Sequence, residues 1–259
     1  MKLYNRVFYE PLYKTGYALK TTQSALADGN RDVRQPLLYS LSLTRGYQLR
    51  TVTLAFFDTA GEDLSDKTSD FDVIESMAKI NRYIYNAAGI ILLVDPLRIP
   101  EIRKKVELAG ISGMMSDRGN TAAGNIITRT SELIYRGQNL PRTKKIPIPL
   151  AVVFSKMDLL KKSILGAEAA VYQQSRHRGF FSIADFQNNH DCIRDWIDEY
   201  DKQLMQVTPL FKDAAFFGVS ALGGNPDENS KLPFSSPHPI RVEDPFLWLL
   251  WKNGIVAGK

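Results

Sequence analysis

Two short strings, far apart in the chain, carry residue types that suit nucleotide binding. They are residues 58–62, with the sequence DTAGE, and residues 155–158, with the sequence SKMD. Each string follows an apolar run, 51–57 in the first case and 149–154 in the second, as it would after a buried strand. Because open α/β sheets bind ligands at the carboxyl ends of their strands, we expect both strings at one ligand-binding edge.

A third segment of the same kind occurs later in the chain. The apolar run 214–219 leads into Ser220, Ala221 and Leu222. The three segments follow one another in the order expected of a domain that binds a guanine nucleotide. This order argues against chance matches of the individual short motifs.

The strands that must position these residues are visible as apolar runs. Residues 37–43 and 48–57 flank a glycine turn and predict an antiparallel β-hairpin. Residues 89–94 predict a further strand, which ends at Asp95. We therefore expect an α/β fold with a mostly parallel sheet, in which the strands ending at Asp58, Asp95, Ser155 and Ser220 share one edge.

Helical spacing predicts the rest of the architecture. We expect helices on both faces of the sheet, helical insertions at about 97–145 and about 165–212, and a last helix at about 244–252. The second insertion carries an apolar stripe that we interpret as core packing, made of Phe186, Ile193, Trp196, Ile197 and Leu204. We treat residues 1–259 as a single domain.

Composition narrows the functional classes. The formal net charge of +5 is spread over scattered basic pieces, so we expect no nucleic-acid partner. The single Cys192 and the absence of an apolar amino-terminal stretch predict a reducing, cytoplasmic location. No apolar run is long enough to predict a membrane span. We interpret His177, His190 and His238 as surface residues, because they lie in polar or proline-rich stretches.

The motifs together resemble the TRAFAC class of P-loop GTPases. Within that class the chain is similar to the bacterial double-GTPase domains of conflict systems, through residues 216–223 (FFGVSALG) and 241–250 (RVEDPFLWLL). The class-level resemblance covers residues 35–251. It implies a G-domain-like fold that binds GTP or GDP with Mg²⁺ and also contacts a protein partner of unknown identity.

The resemblance implies roles for the residues after the strand at 149–154. Asp158 would accept two hydrogen bonds from guanine, and the stem of Lys156 would pack on the face of the base. Ser155 stands where the family commonly has Asn or Thr, and its hydroxyl can still join neighbouring loops. In the segment formed by Ser220, Ala221 and Leu222, the amide N–H of Ala221 would bind the guanine O6.

The resemblance also implies a metal and phosphate site. Asp58 would hold Mg²⁺ through a water molecule, and the N–H of Gly61 would reach the γ-phosphate. A threonine at Thr21 or Thr22 would place its hydroxyl on the same Mg²⁺. The catalytic, water-positioning residue would be Glu62, whose carboxylate repels phosphates when it is ionised.

One part of the family pattern is absent from the sequence. No segment has the form G-x-x-x-x-G-K-[ST], which cradles the phosphates of the nucleotide. In the family this loop follows a central first strand, between the strands predicted at 48–57 and 89–94. Without that strand, each buried backbone group left unpaired costs about 1–3 kcal/mol. We expect a replacement strand, a direct closure of the gap, or an upstream segment for which Met1 is an internal methionine.

Two functions from different classes follow. The first is a guanine-nucleotide-binding, GTPase-like domain that forms the C-terminal part of a longer GTPase switch. Hydrolysis of GTP would then require a phosphate loop from an upstream segment. The alternative is a catalytically silent pseudo-GTPase that acts as a protein-interaction scaffold.

Overall fold

The computed structural model describes residue 10 and residues 13–15, 37–45, 48–57, 82–110, 122–224, 229, 231–232 and 237–259. Within these ranges the strands are β1 (Leu37–Arg45), β2 (Gln48–Phe56), β3 (Ile90–Val94), β4 (Leu150–Phe154) and β5 (Ala214–Gly218). The α-helices are α1 (Arg82–Tyr85), α2 (Pro100–Leu108), α3 (Ala123–Gly137), α4 (Ile183–Tyr200), α5 (Lys202–Val207) and α6 (Asp244–Lys252).

The centre of the fold is a parallel sheet with the strand order β3-β4-β5. The register aligns Val94, Phe154 and Gly218, which are the last residues of the three strands. All five residues of β4 are buried, as expected of a strand that is flanked on both edges and covered on both faces. The loops that follow the three strands therefore begin at one edge of the sheet.

Helices cover both faces of this sheet. One face packs Val152 and Phe154 into a core with Ile102 of α2, Ile127 of α3 and Ile193 of α4. The other face belongs to a smaller cluster that contains Ala151, Val153, Ala215, Phe217 and Trp248. The alternation along β4 follows from the period of two in a strand, which sends successive side chains to opposite faces.

The outer edge of β5 is closed by helix α4. The backbone N–H of Phe216 donates a hydrogen bond to Nδ1 of His190, at 3.0 Å. The His190 ring also lies against the rings of Phe186 and Phe216, with centroids 5.5 and 5.7 Å away. The prediction that His190 is a surface residue is therefore wrong. His190 stands on the inward side of α4 and satisfies an edge donor of the sheet.

The predicted β-hairpin is present. Strands β1 and β2 pair antiparallel from Leu37 with Phe56 to Arg45 with Gln48. At the end of β2, the Phe56 ring lies 5.7 Å from that of Phe246 in α6, and Phe57 stacks on Tyr83 of α1 at 4.5 Å. Since consecutive residues of an extended chain point to opposite sides, the end of β2 lies between α6 and α1.

The hairpin does not join the central sheet in the part of the chain that is described. β2 pairs with β1, and β3 pairs with β4 alone. Of the four strands expected to end at one sheet edge, three form a parallel sheet among the described residues, whereas β2 pairs there with its neighbour in sequence. Next to the unpaired edge, Leu93 is 68% exposed and Ile91 is 37% exposed.

The helical predictions agree with the structure where it describes them. Helices α2 and α3 lie in the first predicted insertion, and α4 and α5 lie in the second. The apolar stripe of the second insertion is buried at Ile193, Trp196, Ile197 and Leu204 and partly buried at Phe186. Among the described residues, no helix combines the length and the apolar character that a membrane crossing requires.

His190 makes the stability of the fold pH-dependent. Burial lowers its pKa from the ordinary value of 6.5, and the neutral ring accepts the Phe216 N–H. This stabilisation is full above about pH 6.5 and declines as the pH falls towards the lowered folded-state pKa, because the unfolded chain binds the proton first. In His190→Asn the amide oxygen can replace Nδ1 as an acceptor, but it does not titrate.

We expect His190→Asn to be less stable than the wild type by about 0.5–3 kcal/mol at about pH 8, owing to lost ring packing. The difference in the free energy of unfolding between the variant and the wild type should become smaller at about pH 5.5. Urea denaturation at both pH values measures it, with the exposed His238→Asn as the residue-matched control. A gap of equal size at both pH values would contradict the role of His190.

Candidate functional site

Ser155 joins the ends of β3 and β4. Its backbone N–H donates to the Val94 carbonyl at 2.9 Å, and its Oγ donates to the same oxygen at 3.2 Å. The resemblance implied that this hydroxyl could join neighbouring loops, and in the structure it contacts the last residue of the neighbouring strand. The chain leaving β4 is thereby held against the neighbouring strand at the start of the candidate site.

Lys156 adopts a backbone conformation that is rare for its residue type. Its φ and ψ are 56° and 30°, in the left-handed region. For a residue with a side chain this conformation costs about 1–2 kcal/mol, and such strain is concentrated at functional sites. The Lys156 ammonium lies 2.7 Å from Oδ2 of Asp95, and the other oxygen of Asp95 accepts the Leu97 N–H.

Asp95 is a site residue that sequence reasoning did not single out. It is the first residue after β3, and its side chain is only 19% exposed. Its position in the sequence could have identified it as a site residue. Asp95 directly follows a strand that ends at the same sheet edge, and it precedes Pro96. The ion pair directs the Lys156 side chain from the end of β4 towards the end of β3.

The loops after β4 and β5 meet through two side chains. Ser220 Oγ donates to Oδ1 of Asp158 at 2.5 Å and accepts the Gly223 N–H at 2.9 Å. Ser220 is 1% exposed, so its buried hydroxyl links the loops after β4 and β5. We call this pair of hydrogen bonds the Ser220 clamp. Within the described chain, the Asp158 carboxylate accepts a hydrogen bond from Ser220 alone. Its second oxygen, Oδ2, accepts no hydrogen bond from a described residue.

Backbone contacts bring the same two loops together. The Met157 N–H donates to the Val219 carbonyl at 3.1 Å, so the pairing of β4 with β5 continues beyond both strands. The Met157 carbonyl accepts the Tyr172 hydroxyl at 2.8 Å. Burial raises the pKa of Tyr172, with a further contribution from the negative charge of Asp158, so this hydroxyl stays a donor at neutral pH.

Ala221 and Leu222 follow Ser220 on the rim of the site. Ala221 is exposed, and the Leu222 carbonyl accepts the His238 N–H at 2.9 Å. No described residue accepts the N–H of Ala221. That amide is the one predicted to bind the guanine O6.

The other predicted site residues lie outside the described part of the chain. These residues are Asp58, Gly61, Glu62, Thr21 and Thr22. The metal and phosphate half of the predicted site is thus untested. The residues predicted to read the base follow two neighbouring strands, and they contact one another through Asp158 and Ser220.

A buried ionic cluster lies next to these loops. We call it the Arg241 cluster, and it consists of Arg241, Asp185, Asp244 and His177. Arg241 donates to both oxygens of Asp185 at 3.0 and 3.1 Å and to Oδ2 of Asp244 at 2.7 Å. The four side chains are at most 8% exposed. The prediction that His177 lies on the surface is therefore wrong.

His177 is oriented by hydrogen bonding. Its Nδ1 accepts the Ser182 N–H at 3.0 Å, which leaves the ring proton on Nε2. That atom faces Oδ1 of Asp244 at 3.6 Å. Neither Nε2 of His177 nor Oδ1 of Asp244 has a hydrogen-bond partner in the described chain. Each atom is therefore the partner that the other could most readily take.

Arg241 offsets part of the negative charge of the cluster. Burial by itself raises the pKa of Asp185, but hydrogen bonds from Arg241 and from the Arg176 amide outweigh it and place this pKa below its usual value. His177, Asp185 and Asp244 offer ligand atoms within 4.8 Å of one another, as a metal site would. However, the Arg241 guanidinium already contacts both carboxylates, and a metal ion there would face its positive charge. The cluster fits arginine rather than a metal.

Comparison with protein-family models, with curated proteins and with solved structures finds no match to this chain. The likeness to GTPases therefore rests on the motif residues and on their placement at the sheet edge.

The Ser220 clamp generates a stability prediction. Ser220→Ala leaves Oδ1 of Asp158 and the Gly223 N–H without their partner, which should cost about 1–3 kcal/mol in urea denaturation. The matched control is Ser163→Ala, whose half-buried hydroxyl donates only to the Leu159 carbonyl one turn earlier. We expect the control to cost less than about 1 kcal/mol. Equal losses in the two variants would show that the clamp adds nothing.

Proposed function

We propose that this chain is a guanine-nucleotide-binding, GTPase-like domain, and that it forms part of a longer GTPase switch. The observation that carries the proposal is the contact of Asp158 with Ser220. It unites a K-x-D segment after β4 with an S-A-L segment after β5, at the ligand-binding edge of a parallel sheet. This contact between two motifs that are separate in the sequence supports the proposal.

The groups present at this edge suit the recognition of guanine. Guanine offers two adjacent N–H donors and one carbonyl oxygen. Among the described residues, Oδ2 of Asp158 has no donor and the Ala221 N–H has no acceptor, so the two groups would suit a ligand that offers both. Lys156 has its ammonium held by Asp95, which fixes the direction of the stem that would cover the base. A partly buried carboxylate distinguishes donors from acceptors strongly, since the wrong group leaves it unpaired.

The phosphate half of the proposal depends on residues beyond the described ones. Asp58 with Thr21 or Thr22 would hold Mg²⁺, Gly61 would approach the γ-phosphate, and Glu62 would stand beside the attacking water. The phosphate loop itself would come from an upstream segment, because the sequence contains none. The edge of β3 that no described strand pairs with, beside which Leu93 is 68% exposed, is where an added strand would find backbone partners.

The same edge supports the rival function. A pseudo-GTPase scaffold would keep the fold without binding phosphates and would offer the edge of β3 to a protein partner. The observation in its favour is the lack of a G-x-x-x-x-G-K-[ST] segment. The two functions differ in one measurable property, the selective binding of guanine by the Asp158 site.

The first prediction concerns affinity. Isothermal titration of this chain with GTP and Mg²⁺ should show only weak binding, with a dissociation constant above about 10 µM. The physical reason is that Asp158 and Lys156 can read the base, whereas no sequence segment supplies a nest of backbone N–H groups for the phosphates. A tighter constant would contradict the idea that the phosphate loop lies elsewhere.

The second prediction concerns specificity. With millimolar nucleotide and ligand-observed NMR, the wild type should prefer GDP to ADP and to xanthosine diphosphate. Asp158→Asn should weaken GDP binding by about 2–4 kcal/mol and favour the xanthosine nucleotide, whose second carbonyl matches the new amide donor. The amide oxygen that this substitution introduces would still accept from Ser220, so the clamp is retained. A wild type without guanine preference would support the scaffold instead.

A further inference from the structure

Arg241 lies beside the candidate site without being part of it. It is 6% exposed, and its φ of 48° places a residue with a long side chain in the left-handed region. Its guanidinium holds Asp185 and Asp244, and its Nε donates to the Gln173 carbonyl at 3.1 Å. Four hydrogen bonds from one side chain fix it in both position and direction.

One path leads from Arg241 to Ser220. The residue before Arg241 is Ile240, which exchanges two backbone hydrogen bonds with Ser220, at 3.0 and 2.7 Å. Ser220 in turn holds Oδ1 of Asp158. Interactions that hold the backbone at 240–241 in place therefore also hold Ser220, the hydrogen-bond partner of the Asp158 carboxylate.

A second path leads from Arg241 to the other side of Asp158. The Gln173 carbonyl, which Arg241 holds, follows Tyr172 at the end of a short 3₁₀-helix formed by Ala170–Tyr172. The Tyr172 hydroxyl donates to the carbonyl of Met157, the residue before Asp158. Val171 in the same turn is fully buried, which anchors the turn against the core.

We propose that Arg241 is a positioning residue for the base-reading site, holding Asp158 from both sides through Ile240–Ser220 and through Gln173–Tyr172–Met157. This inference rests on the proposed function for the identity of the ligand. The statement that Arg241 holds Asp158 in position does not depend on that function. Arginine suits the role because its planar guanidinium serves two carboxylates while Nε serves a carbonyl. A lysine has one ammonium for the same three groups.

The test compares Arg241→Lys with Arg194→Lys. Arg194 also contacts two carboxylates, those of Asp191 and Asp195, but it does so on the exposed side of α4. Hydrogen exchange should become about tenfold faster at 155–160 and at 218–224 in Arg241→Lys, and should stay unchanged there in Arg194→Lys. Unchanged exchange in both segments of Arg241→Lys would overturn the proposal.

The second readout is the ratio of GDP to inosine diphosphate affinity, measured by ligand-observed NMR. Inosine lacks the 2-amino group, so a correctly placed Asp158 favours GDP. The ratio should fall towards one in Arg241→Lys and should be preserved in Arg194→Lys. Loss of global stability alone leaves the ratio unchanged, because only folded molecules bind, and an unchanged ratio in Arg241→Lys would therefore contradict the positioning role.

The outcomes separate this inference from the proposed function. Equal affinities of the wild type for GDP and inosine diphosphate would refute guanine recognition. The hydrogen-exchange data alone would then decide whether Arg241 positions Asp158. If Arg241→Lys does not fold, Tyr172→Phe tests one path by removing a single hydroxyl. It should speed exchange at 155–160 and leave 218–224 unchanged. No change at 155–160 would overturn the proposal for that path.

Discussion

The complete burial of β4 is the constraint on which the rest of the described fold depends. Its two faces require helical layers, and its two edges require β3 and β5 as partners. A buried strand with unpaired backbone groups would lose about 1–3 kcal/mol for each of them. The loop after β4 therefore emerges in the middle of the sheet edge, where it can reach Asp95 on one side and Ser220 on the other.

The Arg241 cluster shows a different way of holding a loop. Charges removed from water cost several kcal/mol each, and the cost is offset only where the geometry of the pairing is good. Arg241 meets that requirement with two carboxylates and a carbonyl. The directional bonds also specify a single arrangement of α4, α6 and the turn at Ala170–Tyr172. Apolar contacts alone allow more rearrangement, since they have no preferred direction.

The sequence predicted well what depends on local pattern. Apolar runs located the hairpin and the three central strands, and short motifs located Ser155, Asp158 and Ser220. The pairing of β2 with β1 was predicted correctly, whereas the expected place of β2 in the central sheet is not found among the described residues. His190 was missed although its spacing with Phe186, Ile193 and Ile197 matches the buried stripe of α4. The structural role of Arg241 could not be predicted, because its partners Asp185 and Gln173 lie 56 and 68 residues away.

The separation of Arg241 from its partners along the sequence also affects the order in which the domain folds. Contacts between residues far apart in sequence form slowly, because a long loop must close before any bond offsets its entropy. During synthesis, Asp158 and Tyr172 leave the ribosome well before residue 241 does. The loop after β4 therefore exists for a time without the arginine that fixes its neighbours, while Asp185 lacks its charged partner. The arrangement around Asp158 is completed late in folding, after the sheet that carries it.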